Sequence, residues 1–119
     1  MQVVTMSKVA KKPHQTPLFT STDVTSQHIL SEVDEYNVNI VNFGKGVRNK
    51  FHIHESDQVL IVTAGKGIVA TEKEQKVVTV GDVIHFPAGE KHWHGATPDS
   101  TFSHIYVSRA GSKTTQVEQ

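Results

Sequence analysis

From Tyr36 onward the chain alternates apolar and polar positions with a period of two, the pattern of half-buried strands. Tyr36, Val38, Ile40 and Asn42 fall on one face of the first such segment, and Asn37, Asn39, Val41 and Phe43 on the other. Gly44-Lys45-Gly46 breaks it. Asn49 to His54 predicts the next strand and Gln58 to Ala64 another. Within the latter, Val59-Leu60-Ile61-Val62 is apolar on both faces, as in a strand held between two layers. Gly65-Lys66-Gly67 predicts a hairpin turn, because glycine accepts the positive φ of tight connections. Ile68 to Lys73 then returns, and the charged tip Glu72-Lys73-Glu74-Gln75-Lys76 turns the chain again. Short strands follow at Val77 to Val80, Val83 to Phe86, His92 to Thr97 and Thr101 to Ser108, separated by Gly81-Asp82, Pro87-Ala88-Gly89 and Pro98-Asp99-Ser100.

The ends differ. Residues 1–17 hold lysines, two prolines and little periodicity, and predict a flexible arm or a strand swapped onto a partner subunit. His14 within it is expected to be solvated. Between 18 and 34 one short strand near His28-Ile29-Leu30 is predicted, and Asp23-Val24-Thr25-Ser26 can start a single helical turn. Residues 109–119 form a polar tail expected to fray. Residues 18–108 are thus one domain, all-β, an antiparallel sandwich or barrel.

Charge and composition remove several function classes. Twelve basic and twelve acidic side chains cancel, so there is no basic footprint for nucleic acid or for an anionic membrane surface. Without cysteine, disulfides and thiolate metal ligation are excluded. No apolar run approaches the ~20 residues of a membrane span. The first 17 residues lack the apolar centre of a secretory signal, which predicts a cytoplasmic protein. Met6-Ser7-Lys8 offers an alternative start. The doubly apolar Val59–Val62 run predicts a homodimer, because a small barrel cannot bury both of its faces alone.

Histidine changes the picture. The chain carries eight, and five fall between residues 52 and 94. His52 and His54 share a strand face, with Ile53 on the other, and two adjacent imidazoles make half of a metal site. The same spacing alone also fits a polar strand face that happens to carry histidine.

The spacings that decide between these resemble the cupin family. Its first motif appears as Gly46, His52, His54, Gln58 and Gly65, with glutamine where glutamate is usual. Its second appears as Gly81, Pro87, Gly89 and His92, with Ala96 in place of an asparagine. The resemblance implies a double-stranded β-helix, the cupin jelly-roll barrel, holding one divalent transition metal on His52, His54, Gln58 and His92. The runs Gln58–Gly65 and Pro87–Ala96 are similar to small bacterial cupins that include manganese-dependent hydroxynitrile lyases. That resemblance favours manganese, with iron, nickel, zinc, cobalt or copper as alternatives. It also implies a base on the last barrel strand, His104. Glutamine in place of glutamate removes a negative charge, leaving a bound ion more positive and a stronger Lewis acid towards an anionic or carbonyl ligand.

Other residues have assignable places. His104 alternates with Phe102 and Tyr106, so the three share a face, and an imidazole there titrates in the range of a general base. The alternative is a histidine that is only hydrogen-bonded in a polar cavity. His94 lies on the same face as His92 and is expected beside the site rather than as a fifth ligand. Asn39 faces inward with Val41 and Phe43, where the lyases carry small residues. Trp93 is expected to pack, and His85 to be exposed or at a subunit interface.

Three functions compete: a metal-dependent lyase or related acid–base catalyst on a small hydroxylated or carbonyl compound, a metal-dependent oxygenase, and a non-catalytic module that binds metal or a small ligand.

Overall fold

In the computed structural model, which describes residues 1–30 and 34–119, the period-two pattern forms antiparallel strands throughout. In chain order these are β1 (Lys12–Pro13), β2 (Val24–Leu30), β3 (Tyr36–Phe43), β4 (His52–His54), β5 (Gln58–Thr71), β6 (Gln75–Thr79), β7 (Val83–Phe86), β8 (His92–Ala96), β9 (Phe102–Arg109) and β10 (Thr114–Gln116). The only helical element among the described residues is a 3-10 turn at Met6–Lys8.

The strands lie in two layers of a curled barrel. One runs β1-β2-β3-β9-β5, with β7 on the far side of β5. The other runs β10-β4-β8-β5, with β6 also on β5. A double-stranded β-helix of the jelly-roll type is therefore the architecture. Phe43, Leu60, Val62, Phe86 and Phe102 meet between the layers and are almost fully buried.

β5 belongs to both layers. Its first half pairs with β7 and β9, and its second half with β6 and β8. The hairpin predicted at Gly65-Lys66-Gly67 is accordingly not there: the strand runs through from Gln58 to Thr71. Gly65 does adopt a φ of +70°, and a Cβ on it would collide with the Thr101 carbonyl. The glycine lets the strand change layers against a close neighbouring backbone, and the chain does not reverse.

Three further expectations are corrected. Asp23 to Ser26 starts no helical turn, because Val24 opens β2 and its ladder with β3 satisfies the backbone better than an isolated turn. The strand expected over Asn49 to His54 is regular only from His52, with Arg48 and Asn49 held by single bridges to Gly95 and Phe19. The tail is not without structure as expected: β10 pairs with β4 in the register Thr114↔His54, Thr115↔Ile53 and Gln116↔His52. The N-terminal arm lies against its own sheet, where Gln27 Nε2 donates to the carbonyls of Val9 (2.9 Å) and Met6 (3.4 Å). No helix among the described residues is long and apolar enough to cross a membrane.

Candidate metal centre

Strand alternation sends His52, His54, His92, His94 and His104 to the barrel interior. β4 and β8 meet at His52↔His92, so the two imidazoles lie side by side, with ring centroids 4.4 Å apart. His54 stands 4.8 Å from the His52 ring and 5.2 Å from that of His92. One ring nitrogen from each of the three lies within 4.8 Å of the others. Both His52 and His92 are 1% exposed, and the His92 ring stacks on Phe86 at 3.9 Å.

Each ring is oriented through its Nδ1. That of His52 donates to the Lys50 carbonyl (2.6 Å) and that of His92 to the Glu90 carbonyl (2.9 Å). The Nδ1 of His54 meets the Thr114 hydroxyl at 2.8 Å. A ring with a proton on Nδ1 keeps a lone pair on Nε2. Nε2 of His54 is buried without a partner. Nε2 of His92 faces Gln58 Oε1 at 3.3 Å. A cation shared between them would relieve two lone-pair atoms at that separation. The site thus fits a metal: three neutral imidazoles with an amide oxygen beside them suit a first-row divalent ion.

Electrostatics agree with neutral ligands. Burial pushes His52, His54 and His92 each down to about 4. Hydrogen bonding to the Lys50 carbonyl for His52 and to the Glu90 carbonyl for His92 works the other way, and the nearby Gln58 side chain has the same upward effect on His54. The neighbouring imidazoles add to the lowering. At neutral pH no proton has to leave before a cation can bind.

Deeper in, His94 stands between this cluster and His104. Its ring is 6.2 Å from those of His52 and His92 and 4.8 Å from that of His104. Asn49 fixes its tautomer. The His94 backbone N–H donates to Asn49 Oδ1 (2.8 Å), which leaves Nδ2 as the atom facing His94 Nε2 at 3.2 Å. An amide nitrogen only donates, so Nε2 accepts and the ring proton sits on Nδ1, which is buried without a partner.

His104 is the complement. It is 0% exposed, between Val41 and Val62 in the ladder, and burial pushes it down to about 4, against a small upward effect of the Ile105 carbonyl. Nδ1 donates to that carbonyl at 3.2 Å, so the unpartnered Nε2 carries a lone pair.

His52, His54, Gln58, His94 and His104 line a cavity of about 320 Å³, together with the apolar Phe19, Val41 and Phe43 and the polar Asn37, Tyr106 and Ser108. The inward-facing Asn39 is buried and donates to the Tyr106 hydroxyl at 2.8 Å. His14 is not solvated as expected. It is half-buried, packs edge-on against Phe19 (5.1 Å) and forms part of the cavity wall, because β1 carries the arm across the barrel. His85 lies outside and contacts Asp57 at 3.3 Å. Trp93 packs outward beneath the Arg48 guanidinium, 4.6 Å from its ring centroid. The spacing of residues gave no sign of Asn49 or Thr114, whose partners are 45 and 60 positions away.

Comparison with known proteins agrees with this geometry. Residues 39–107 match the Cupin domain family, and the chain belongs to it. It is 43% identical over 68 residues to an (R)-mandelonitrile lyase from Granulicella tundricola, a match covering 56% of this chain and 52% of the lyase. It is 32% identical over 65 residues to an acireductone dioxygenase from Parasynechococcus marenigrum, covering 49% of this chain and 35% of that protein. The matches thus span about half or less of these relatives' lengths. Among solved structures, a cupin-like protein from Thermotoga maritima aligns with a TM-score of 0.82 and 29% identity, covering 90% of this chain and 84% of its own. The polyketide cyclase RemF from Streptomyces resistomycificus aligns with a TM-score of 0.88 over all of this chain and 87% of its own, at 18% identity, and shows the shared fold alone.

Proposed function

We propose that this cupin is a metal-dependent lyase that takes the proton from the hydroxyl of a small 2-hydroxy compound, with His104 as the base. The observation that carries the proposal is the His104 Nε2 lone pair, buried and unpartnered at the cavity. The similarity to an (R)-mandelonitrile lyase supports a 2-hydroxynitrile as substrate class.

We assign His52, His54, Gln58 and His92 as ligands of one divalent ion, manganese by preference. Such an ion, when bound, polarises a substrate oxygen and makes its hydroxyl more acidic. His104 Nε2 then receives the hydroxyl proton as the C–O bond becomes C=O and the bond to the nitrile carbon breaks. Cyanide leaves with that electron pair and takes the proton from the imidazolium, departing as hydrogen cyanide and restoring the neutral base. His94 Nδ1–H, held by Asn49, offers a donor to the same oxygen. Burial at His104 keeps its imidazole neutral and ready to accept at working pH. Phe19, Val41 and Phe43 give the substrate's carbon skeleton a dry wall, and a cavity of about 320 Å³ accommodates a single-ring compound.

The test is cyanide release from mandelonitrile by protein loaded in turn with Mn²⁺, Fe²⁺, Co²⁺, Ni²⁺, Zn²⁺ and Cu²⁺. Release with at least one metal is expected. Its absence from every demonstrably loaded form overturns the lyase assignment.

The similarity to acireductone dioxygenases favours a second reading, an oxygenase using the same ligands. Oxygen consumption by the iron-, manganese- or copper-loaded protein with an enediol substrate would establish it instead. Stoichiometric metal binding without either activity would leave a metal-binding module.

A homodimer is part of the proposal. Ile61 lies beside Val83 and Ile105 on the outer face of the first layer, Val59 lies beside Val107, and Val83 is 65% exposed. An apolar band of this kind marks a contact surface. Sedimentation at micromolar concentration should give twice the chain mass, and a monomer would overturn the assignment.

A further inference from the structure

The three clustered imidazoles are not held alike. His52 and His92 each give Nδ1–H to a carbonyl two residues earlier in their own segment, so β4 and β8 orient them without help. His54 has no such partner. Its Nδ1 lies 2.8 Å from the Thr114 hydroxyl, sixty residues on and carried by the last strand.

That strand is tied down on both sides of the contact. Before it, the Glu55 N–H donates to the Lys113 carbonyl at 3.0 Å. After it, the Val117 N–H donates to the Phe51 carbonyl at 2.9 Å. Glu118 takes Arg48 through both carboxylate oxygens (2.9 and 3.2 Å) and also accepts the Phe51 N–H at 2.9 Å. The residues between are exposed, so hydrogen bonds and the Glu118–Arg48 pair, not burial, hold the strand in register.

We propose that Thr114 is a positioning residue for His54, and that docking of the C-terminal strand and metal binding strengthen each other. The proposal rests on the assignment of His54 as a ligand. A hydroxyl that accepts Nδ1–H holds the ring in the tautomer whose Nε2 is free to ligate, and fixes its rotation. A cation on Nε2 makes Nδ1–H a stronger donor, which tightens the strand in return. Linkage requires the two effects to be equal.

The test uses the full-length protein with Thr114→Val and Thr114→Ser. Valine keeps the β-branched shape that suits an edge strand, and serine keeps the hydroxyl. Zn²⁺ affinity by calorimetry should fall about 10-fold or more in Thr114→Val and stay within about 3-fold of the parent in Thr114→Ser. In the metal-free protein, the ¹⁵N shifts of the His54 ring should report the Nδ1–H tautomer in the parent and in Thr114→Ser, and its partial loss in Thr114→Val. Deuterium exchange at the Val117 amide should slow when Zn²⁺ is added. Equal Zn²⁺ affinity and an unchanged His54 tautomer in Thr114→Val would overturn the proposal, as would Val117 exchange indifferent to Zn²⁺. A parent that binds no Zn²⁺ while its His54 tautomer still depends on Thr114 would overturn the ligand assignment and the coupling, and support the positioning alone.

Discussion

Asn49 grips His94 at two points, accepting its backbone N–H at 2.8 Å and facing its Nε2 with an amide nitrogen at 3.2 Å. Both residues are buried, so neither hydrogen bond has water as a ready substitute. Asn49→Leu is expected to cost about 1–3 kcal/mol in chemical denaturation, because the His94 N–H is left unsatisfied. Asn49→Asp keeps the first contact but replaces a donor with an acceptor. The His94 ring proton should then move from Nδ1 to Nε2, visible in its ¹⁵N shifts. An unchanged tautomer would contradict the hydrogen-bond assignment.

The proposed ligand set predicts that His52→Ala and His92→Ala each abolish stoichiometric metal binding, measured by metal analysis after dialysis. Either change removes one of three converging imidazoles. Gln58→Glu should instead bind Mn²⁺ more tightly than the parent, since a carboxylate adds a negative charge where the amide has none. Full metal retention by His52→Ala would contradict the site.

His104→Gln should keep the metal and lose turnover by about 10²- to 10⁴-fold, the usual contribution of a positioned general base. Metal content and mandelonitrile cleavage are measured on the same preparation. Undiminished turnover would remove His104 from the chemistry.

The buried imidazoles set an acid limit on stability. His104 titrates at about 4 in the fold against an ordinary 6.5, so between these values the unfolded chain binds the proton more readily. Stability therefore rises with pH across that window and is lost as pH falls from about 6.5 towards 4. A difference of this size is worth on the order of 3 kcal/mol for one group, and His52 and His92 act in the same direction. The Tm of metal-free protein should be nearly flat above pH 7 and fall steeply below 6.5. His104→Gln should flatten part of that slope. A Tm independent of pH between 4 and 7 would contradict neutral, buried imidazoles.

Much of the fold and half of the site could be inferred from local order. Alternation placed β3, β7, β8 and β9 within a residue or two. It also put His52 with His54, and His92 with His94, on shared faces, because side-chain direction in a strand depends only on parity. The groups that orient these rings were not legible. Asn49 and Thr114 act through partners far along the chain, and no periodicity records a contact made by folding. Gly65 shows a subtler limit. Its positive φ was readable from residue type, but the same dihedral serves a reversal or a change of layer, and only the Thr101 carbonyl beside it decides which.

The passage of β5 through both layers has a consequence for how the protein folds. One strand of fourteen residues hydrogen-bonds to β6, β7, β8 and β9, so a single continuous backbone carries a ladder of each layer. Loops of many residues must close before these pairings form, which predicts slow assembly dominated by non-local contacts. It also makes the domain indivisible. Fragments cut between Gly65 and Lys66 would each inherit half a ladder, and the cluster of His52, His54 and His92 would exist only when both were joined.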